Sequence, residues 1–220
     1  MCCIYIYITP KEMNMKTEIY KRIIQTIYNI SIDIGRHGRM HSANQIRDII
    51  HSTNDDHIKC KEWLASELRK SQIYFKDPKI LVGGGWTGLM AHLLDETFTN
   101  ASSILSVDLL QHHKDVGTQI FPHIKFDTTN VFEYSLQDFD IFVSTSVEHF
   151  NREELQFFLQ DKPVEVICAL QSNNWYDIED HTNCSDTLED FIEYLPLKKI
   201  IYSGSKRMMD TYDRFMVIGK

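Results

Sequence analysis

The sequence predicts an α/β domain whose mostly parallel sheet ends in an antiparallel hairpin. Three observations predict this fold class. An apolar strand at 79–82 breaks into a glycine loop at 83–88 that opens a helix. A second apolar strand at 103–108 ends in an acid. Two apolar stretches, 198–204 and 214–219, are joined by a connection too short for a crossover helix, so they must pair antiparallel.

The segment before the glycine loop is predicted to be helical. Isoleucines recur there at helical spacing, at Ile19, Ile23, Ile27 and Ile30 and again at Ile46, Ile49 and Ile50. Residues 35–39 and 52–56 should interrupt the helices, and Asp77-Pro78 should end the segment. We therefore expect a leader at 1–15 that is disordered or an added edge strand, a helical lid at 16–78, and a cofactor-binding domain at 79–220. The lid offers four groups that could face an acceptor: His37, Arg39, His41 and Lys61.

Composition and charge exclude several classes of protein. The chain is 43% hydrophobic and 25% charged, which is typical of a globular protein that buries a substantial core. The five cysteines show no metal-ligand spacing, so we expect free thiols and a cytoplasmic location. The apolar run at 4–8 is too short to span a membrane. Residues 79–220 carry 11 Lys/Arg against 22 Asp/Glu, which disfavours a nucleic-acid partner.

The loop after the first strand is the firmest predicted site. Gly83, Gly85 and Gly88 have the G-x-G-x-x-G spacing that allows a tight turn and close approach of a ligand to the backbone. Asp108 follows Gly88 by 20 residues and ends the second strand, where a carboxylate can accept hydrogen bonds from a ribose diol. Gly84 and Trp86 complete the loop, and the indole should either wall the pocket or anchor the next helix. Nicotinamide cofactors and S-adenosylmethionine (SAM) both suit this geometry.

The remaining strands decide between these cofactors. Predicted strands at 124–127, 139–146 and 164–170 follow, before the terminal hairpin. Five strands that end in such a hairpin resemble the class I SAM-dependent methyltransferase fold, which is Rossmann-like. Nicotinamide-binding domains usually continue with parallel strands and carry a separate substrate domain, for which 220 residues leave no room. The resemblance therefore implies SAM as the cofactor.

A narrower resemblance extends over nearly the whole chain after the leader. The runs at 61–64, 84–88, 144–149 and 171–174 are similar to those of small methyltransferase-like proteins of bacteriophages. This resemblance implies a phage origin, with the cytoplasm of the host as location. It implies no particular acceptor.

The expected cofactor contacts follow the ends of successive strands. Backbone amides of the glycine loop would meet the amino-acid portion of SAM, and Asp108 with the adjacent Leu109 would hold the ribose. A polar group after the third strand would read the adenine amine. The candidates along the pocket beyond Leu109 are Asp127, Thr128, Asn130, Ser144 and Thr145.

Glu148 and His149 are the candidate general bases, because they follow the fourth strand at the edge where catalysis is expected. An Asn/Asp-Pro-Pro-aromatic run, typical of amino-methyltransferases, is absent there, which argues against base or amide N-methylation. The alternative is that the pair only starts a helix. Asn173 and Asn174, after the fifth strand, are expected to orient the acceptor.

Other chemistry is less favoured at these loops. Cys184 near His181 could be a nucleophile, but no feature signals a lowered pKa. A metal site would need Glu148, His149, His181 and Asp180, which lack helical ligand spacing, so no metal is expected. His112 and His113 are adjacent in sequence and should point apart on the surface.

The sequence thus predicts a SAM-dependent enzyme that transfers a methyl group to a small polar acceptor. Transfer of the aminocarboxypropyl group, or cleavage of SAM, is the first alternative. A nicotinamide-dependent oxidoreductase is the second, and a non-catalytic module that binds a partner through its helical segment is the third. The sequence leaves the oligomeric state open.

Overall fold

The computed structural model describes residues 10–37, 40–71, 75–208 and 211–220, and the side chains of 18–34, 43–71, 75–208 and 211–220. The helices are α1 Pro10–His37, α2 Met40–Ser52, α3 Asp55–Lys70, α4 Leu89–Thr97, α5 Gln111–Ile120, α6 Arg152–Gln160 and α7 Leu188–Tyr194. The strands are β1 Lys79–Gly83, β2 Ser103–Asp108, β3 Lys125–Thr128, β4 Ile141–Ser144, β5 Ile167–Asn173, β6 Ile200–Met208 and β7 Tyr212–Gly219. Short 3₁₀ turns follow β3 and β4.

The strands form one sheet in the order β3-β2-β1-β4-β5-β7-β6 across the described residues. The first five strands are parallel, and β7 pairs antiparallel with both β5 and β6. The predicted fold class is therefore confirmed, including the terminal hairpin. The fifth strand starts at Ile167 rather than 164 and runs on to Asn173, because it pairs with β7 over six residues from Cys168 to Asn173.

Alternate residues of the central strands build two separate cores. Ile80 and Val82 of β1 face the layer of α3, α4 and α5, whereas Leu81 between them faces α6 and α7. In β4, Val143 and Phe142 divide in the same way. Successive side chains of a strand point to opposite faces, so a fully buried strand has apolar residues at every position. The sheet is thus covered on both sides.

The N-terminal segment is helical, as expected. Helix α1 begins at Pro10, so residues 10–15 of the predicted leader belong to a helix, and residues 1–9 lie outside the described part. Asn54 caps α3 by accepting from the backbone N–H of His57 at 2.9 Å. Helix α3 packs against α4, β5 and β7, and α1 and α2 pack against α5. Within the described residues, no helix combines the length and the apolar content needed to cross a bilayer.

Candidate cofactor and acceptor site

The glycine loop lies where the direction of chain connection reverses. β1 has β2 on one side and β4 on the other, so connections leave it in opposite directions and a crevice opens at its carboxyl end. Gly88 has a φ of 91°, and a Cβ there would lie 2.5 Å from the Phe126 ring. A Cβ on Gly85 would collide with Ser106 Oγ on β2. The loop therefore packs on the neighbouring strands too closely for a side chain at these two positions.

Gly85→Ala should destabilise the protein because of this collision. We expect the melting temperature to fall by several degrees, which corresponds to about 1–3 kcal/mol for an overpacked core site. Ser106 Oγ is buried and has no hydrogen-bond partner among the described residues, so Ser106→Ala should itself cost little. In that background Gly85→Ala should cost measurably less. An equal loss in both backgrounds, measured by thermal unfolding, would contradict the collision.

Asp108 ties the loop to the end of β2. Its Oδ2 accepts from the backbone N–H of Trp86 at 2.9 Å, and its Oδ1 accepts from Leu110 N at 3.2 Å and from His113 Nδ1 at 2.8 Å. Burial opposes ionisation, but the hydrogen bond and charge of His113 and the two backbone donors outweigh it and lower the pKa of Asp108. Asp108 is therefore held as an oriented carboxylate beside the glycine loop.

Trp86 lies between helices α3 and α5, beside Asp108. It has a φ of 49°, a conformation that costs energy for a bulky residue and tends to occur at functional sites. Its ring meets His57 of α3 edge-on at a centroid distance of 5.3 Å and His113 of α5 at 6.3 Å. Leu109, the other predicted contact here, is 69% exposed. The indole thus closes the space between two helices, while Leu109 is free to meet a ligand.

The end of β3 contains the predicted adenine-reading groups. Asp127 accepts from Tyr134 Oη at 2.6 Å and from Thr128 N at 2.8 Å, and the Tyr134 hydrogen bond is the main cause of its lowered pKa. Asn130 accepts from Phe132 N and caps a 3₁₀ turn. Thr128 Oγ1 is buried and lacks a hydrogen-bond partner among the described residues. The Thr128 hydroxyl is thus a buried polar group that the described residues leave unsatisfied.

A buried ion pair lies beyond the end of β4. Glu148 Oε1 accepts from Arg214 Nη1 at 2.6 Å, and Arg214 Nη2 donates to the carbonyl of Thr145. The two residues are 3% and 5% exposed. Ser144 is fully buried and its Oγ accepts from Ser146 N. Glu148, predicted as a base, is therefore the counter-ion of an arginine.

Arg214 reaches this point because β7 is antiparallel to β5. The start of β7 lies beside the carboxyl end of β5, with Arg214 opposite Asn173. The residues around Arg214 in the sequence do not indicate that it contributes to the site. Sequence reasoning therefore missed Arg214, and the strand order was needed to find it.

Helix α3 adds Lys61 and His57 to the same region. The positive charge of Arg214 disfavours the protonated form of both residues, and Lys61 is 5% exposed. Burial, and then repulsion by Arg214, lowers the pKa of Lys61 to about 8. Burial, and then the charge of Lys61, lowers the pKa of His57 to about 3, so His57 is neutral at physiological pH. Lys61 was predicted as an acceptor-side group, whereas His57 was not.

Glu148 and His149 come together with His181. One ligand atom of each lies within 4.8 Å of the others. His149 Nδ1 faces the Asp180 carbonyl at 3.2 Å and its carboxylate at 3.4 Å, and His181 Nδ1 faces the Trp175 carbonyl at 2.7 Å. The two candidate bases thus lie close to each other and to His181. These three residues also form a set that could hold a metal ion, although Glu148 is already engaged by Arg214.

The loop after β5 is held by its own side chains. Asn173 Oδ1 accepts from Trp175 N at 2.9 Å and from the Cys184 thiol at 3.4 Å. The Asn174 side chain makes two hydrogen bonds with Asp213. Its Oδ1 accepts from the backbone N–H of Asp213, and its Nδ2 donates to the Asp213 carboxylate. Burial is the main cause that raises the pKa of Cys184 to about 11, which argues against a nucleophilic thiolate.

Other parts of the predicted acceptor side lie elsewhere or outside the described side chains. The side chains of His37, Arg39 and His41, which are predicted to face an acceptor, lie outside the described side chains. An open cleft of about 680 Å³ lies between α3 and the β6–β7 hairpin, and one of about 510 Å³ lies between α6 and the turns after β3. Neither is lined by the glycine loop.

This sheet order, with the glycine loop at the reversal point and a terminal hairpin, defines the class I SAM-dependent methyltransferase fold. No protein-family model matches the sequence, and no curated protein matches it significantly. Solved structures do match. The plantazolicin methyltransferase BpumL in complex with S-adenosylhomocysteine (SAH) has a TM-score of 0.59 at 13% identity, over 92% of this chain and 99% of that one.

Two further structures show the same architecture. A TehB-like SAM-dependent methyltransferase from Corynebacterium glutamicum has a TM-score of 0.53 at 15% identity, over 82% of this chain and 96% of that one. The N-methyltransferase NodS from Bradyrhizobium japonicum, also in complex with SAH, has a TM-score of 0.57 at 15% identity, over 76% and 92%. At these identities the likeness establishes the fold.

Proposed function

We propose that this protein is a SAM-dependent enzyme that transfers a methyl group to a small polar acceptor. One observation carries the proposal: the carboxylate of Asp108 is bonded to the backbone of Trp86 inside the glycine loop, at the reversal point of the sheet. The glycine loop, whose backbone can approach the amino-acid portion of SAM, therefore lies beside Asp108, whose carboxylate can accept from the ribose. The structural neighbours named above, two of them in complex with SAH, support this reading.

The residues present fit this cofactor. The glycine loop excludes a Cβ at Gly85 and Gly88, and Thr128 offers a buried hydroxyl without a partner in the described part of the chain. When bound, SAM supplies a methyl group already activated by its sulfonium. The residues of the chain therefore need only to align the acceptor and remove a proton where one is released.

The acceptor side carries an excess of buried positive charge. Lys61 and Arg214 stand against one carboxylate, Glu148, and Lys61 is mostly protonated below its pKa of about 8. A buried charge without a partner is costly, so the excess favours an anionic group in the pocket. That group is a carboxylate, of the acceptor or of the cofactor's own amino-acid portion.

The variant Lys61→Met distinguishes a carboxylate of the cofactor from a carboxylate of the acceptor. SAH carries the amino-acid carboxylate, and methylthioadenosine lacks it. If Lys61 faces the cofactor, the variant should bind SAH about tenfold or more weakly and methylthioadenosine equally well, because a charge-assisted hydrogen bond is lost. If it faces the acceptor, both affinities should stay and the KM for the acceptor should rise. Lys59→Met, exposed on the same helix, is the matched control. No change in any of these values would remove Lys61 from the proposal.

We assign proton removal to His149, at the rim of the pocket. Glu148 is paired with Arg214, and the nearby His57 of α3 is neutral. Asn173 and Asn174 position the acceptor through the loop that they brace, which is a less direct role than the contact expected from the sequence.

Aminocarboxypropyl transfer and SAM cleavage use the same pocket and remain the main alternatives. Product analysis separates them, because methyl transfer yields SAH and the alternatives yield methylthioadenosine. A phage origin and a cytoplasmic location stay predictions. So does the absence of a nucleic-acid partner.

Calorimetric titration with SAH, and with NAD as the control, tests the proposal directly. We expect saturable micromolar binding of SAH and none of NAD. Binding of NAD alone would indicate the oxidoreductase. Binding of neither would indicate a module that retains the fold without the cofactor.

A further inference from the structure

Two histidines at the start of α5 converge on one aspartate of α2. Asp48 Oδ2 lies 2.9 Å from His112 Nε2 and 3.6 Å from His113 Nε2. The three side chains are 12–16% exposed, and the two imidazole centroids are 4.3 Å apart. The expectation that the histidines point apart on the surface is therefore wrong, because α2 covers this end of α5.

The spacing of these atoms matches a metal-ligand set. Tetrahedral zinc with bonds of 2.0–2.2 Å to imidazole and carboxylate places its ligand atoms about 3.3 Å apart. The two measured separations bracket this value, and all three ligand atoms lie within 4.8 Å of one another. Arg47 lies 3.9 Å from the other oxygen of Asp48, Oδ1, and is largely exposed.

The second nitrogen of His113 shows which form of the ring is favoured. His113 Nδ1 is 2.8 Å from Asp108 Oδ1, and since Asp108 is a carboxylate, this nitrogen carries the proton. In the neutral ring the lone pair of Nε2 then points toward Asp48, where two electron-rich atoms face each other. The Nε2 lone pair of His113 and the Asp48 carboxylate can therefore ligate one metal ion, which would replace the hydrogen bond between Asp48 Oδ2 and His112 Nε2. A histidine that binds zinc usually donates its other ring N–H to a carboxylate or carbonyl, as His113 does to Asp108.

We propose that Asp48, His112 and His113 bind a divalent transition-metal ion, with zinc as the ion that the ligand set suits best. Two imidazoles and one carboxylate suit zinc and its first-row neighbours, whereas magnesium and calcium prefer oxygen ligands throughout. The bound ion joins α2 to α5. Through His113 it also fixes the orientation of Asp108, so the site lies beside the crevice without belonging to it.

This proposal is independent of the proposed function, because its test measures metal binding alone. Full-length protein freed of metal with a chelator is titrated calorimetrically with Zn²⁺, and with Co²⁺ as a spectroscopic probe of tetrahedral ligation. His112→Gln and Asp48→Asn should each lower the affinity for Zn²⁺ at least tenfold or remove one bound equivalent. Asp108→Asn, which changes only the hydrogen-bond partner of His113 Nδ1, should lower the affinity for Zn²⁺ by about 10–100-fold. Circular dichroism checks that each variant is folded.

His149→Gln is the control, because it changes the second group of possible metal ligands among the described residues, formed with Glu148 and His181. It should leave the site intact. Loss of zinc binding in His149→Gln but not in His112→Gln would overturn the proposal in favour of that cluster. Failure of the wild-type protein to bind Zn²⁺ or Co²⁺ at millimolar concentration would overturn it as well.

Discussion

Asp108→Ala is expected to weaken binding of SAH by about a hundredfold. Asp108 Oδ2 accepts one hydrogen bond, from Trp86 N, and can accept a second from a ribose hydroxyl; losing that charge-assisted hydrogen bond costs up to about 3 kcal/mol. Methylthioadenosine has the same ribose and should lose affinity to the same extent. Calorimetric titration of both nucleosides measures this effect.

Two control variants make the Asp108 result specific. Asp138→Ala removes an exposed aspartate from a turn far along the chain and should leave both affinities unchanged. Asp108→Asn keeps an oxygen that can accept from Trp86 N, so it preserves the loop while removing the charge. Unchanged affinity in Asp108→Ala would exclude the ribose contact, and with it the cofactor assignment.

Glu148→Leu is expected to cost about 3–5 kcal/mol of unfolding free energy, the usual effect of removing one partner of a buried ion pair. It leaves Arg214 and Lys61 buried with no counter-charge. Arg214→Met should cost less, because the positive charge of Lys61 remains close enough to interact electrostatically with the Glu148 carboxylate. Urea unfolding of the two variants measures the difference.

The double variant Glu148→Leu/Arg214→Met completes this cycle. Replacing both members of a buried pair by apolar groups is often close to neutral, so it should be more stable than Glu148→Leu alone. Glu153→Leu, an exposed glutamate of α6, should change stability by less than about 0.5 kcal/mol. If Glu148→Leu were as mild as Glu153→Leu, or if the double variant were the least stable, the two charges would not form a buried pair.

Much of the fold is predictable because its signals are local. The glycine loop, the acid that ends β2 and the short connection of the hairpin each occupy a few consecutive residues. The hairpin must be antiparallel whatever surrounds it. The boundary of β5 was less well predicted, since its last residues are strand because β7 pairs with them.

The candidate site, like the fold, was predictable where its signals are local and unpredictable where they are not. The positions of the glycine loop and Asp108 follow from strand-loop-helix patterns, and the structure joins them by the Trp86 N–H bond. The pairing of Glu148 with Arg214 spans 66 residues, and the approach of Asp48 to His112 spans 64. Sequence spacing holds no information about such contacts, so Glu148 was predicted as a free base and the histidines as surface residues.

The sequence by itself determined the order of elements, the terminal hairpin and the place of the glycine loop, because backbone conformation and apolar periodicity depend on near neighbours. The tertiary structure alone decided which charges are buried together. Lys61 from α3, Glu148 after β4 and Arg214 from β7 meet only because the hairpin inserts β7 beside β5 and α3 packs on both strands. Electrostatic environment depends on all groups within a few ångströms, wherever they lie along the chain.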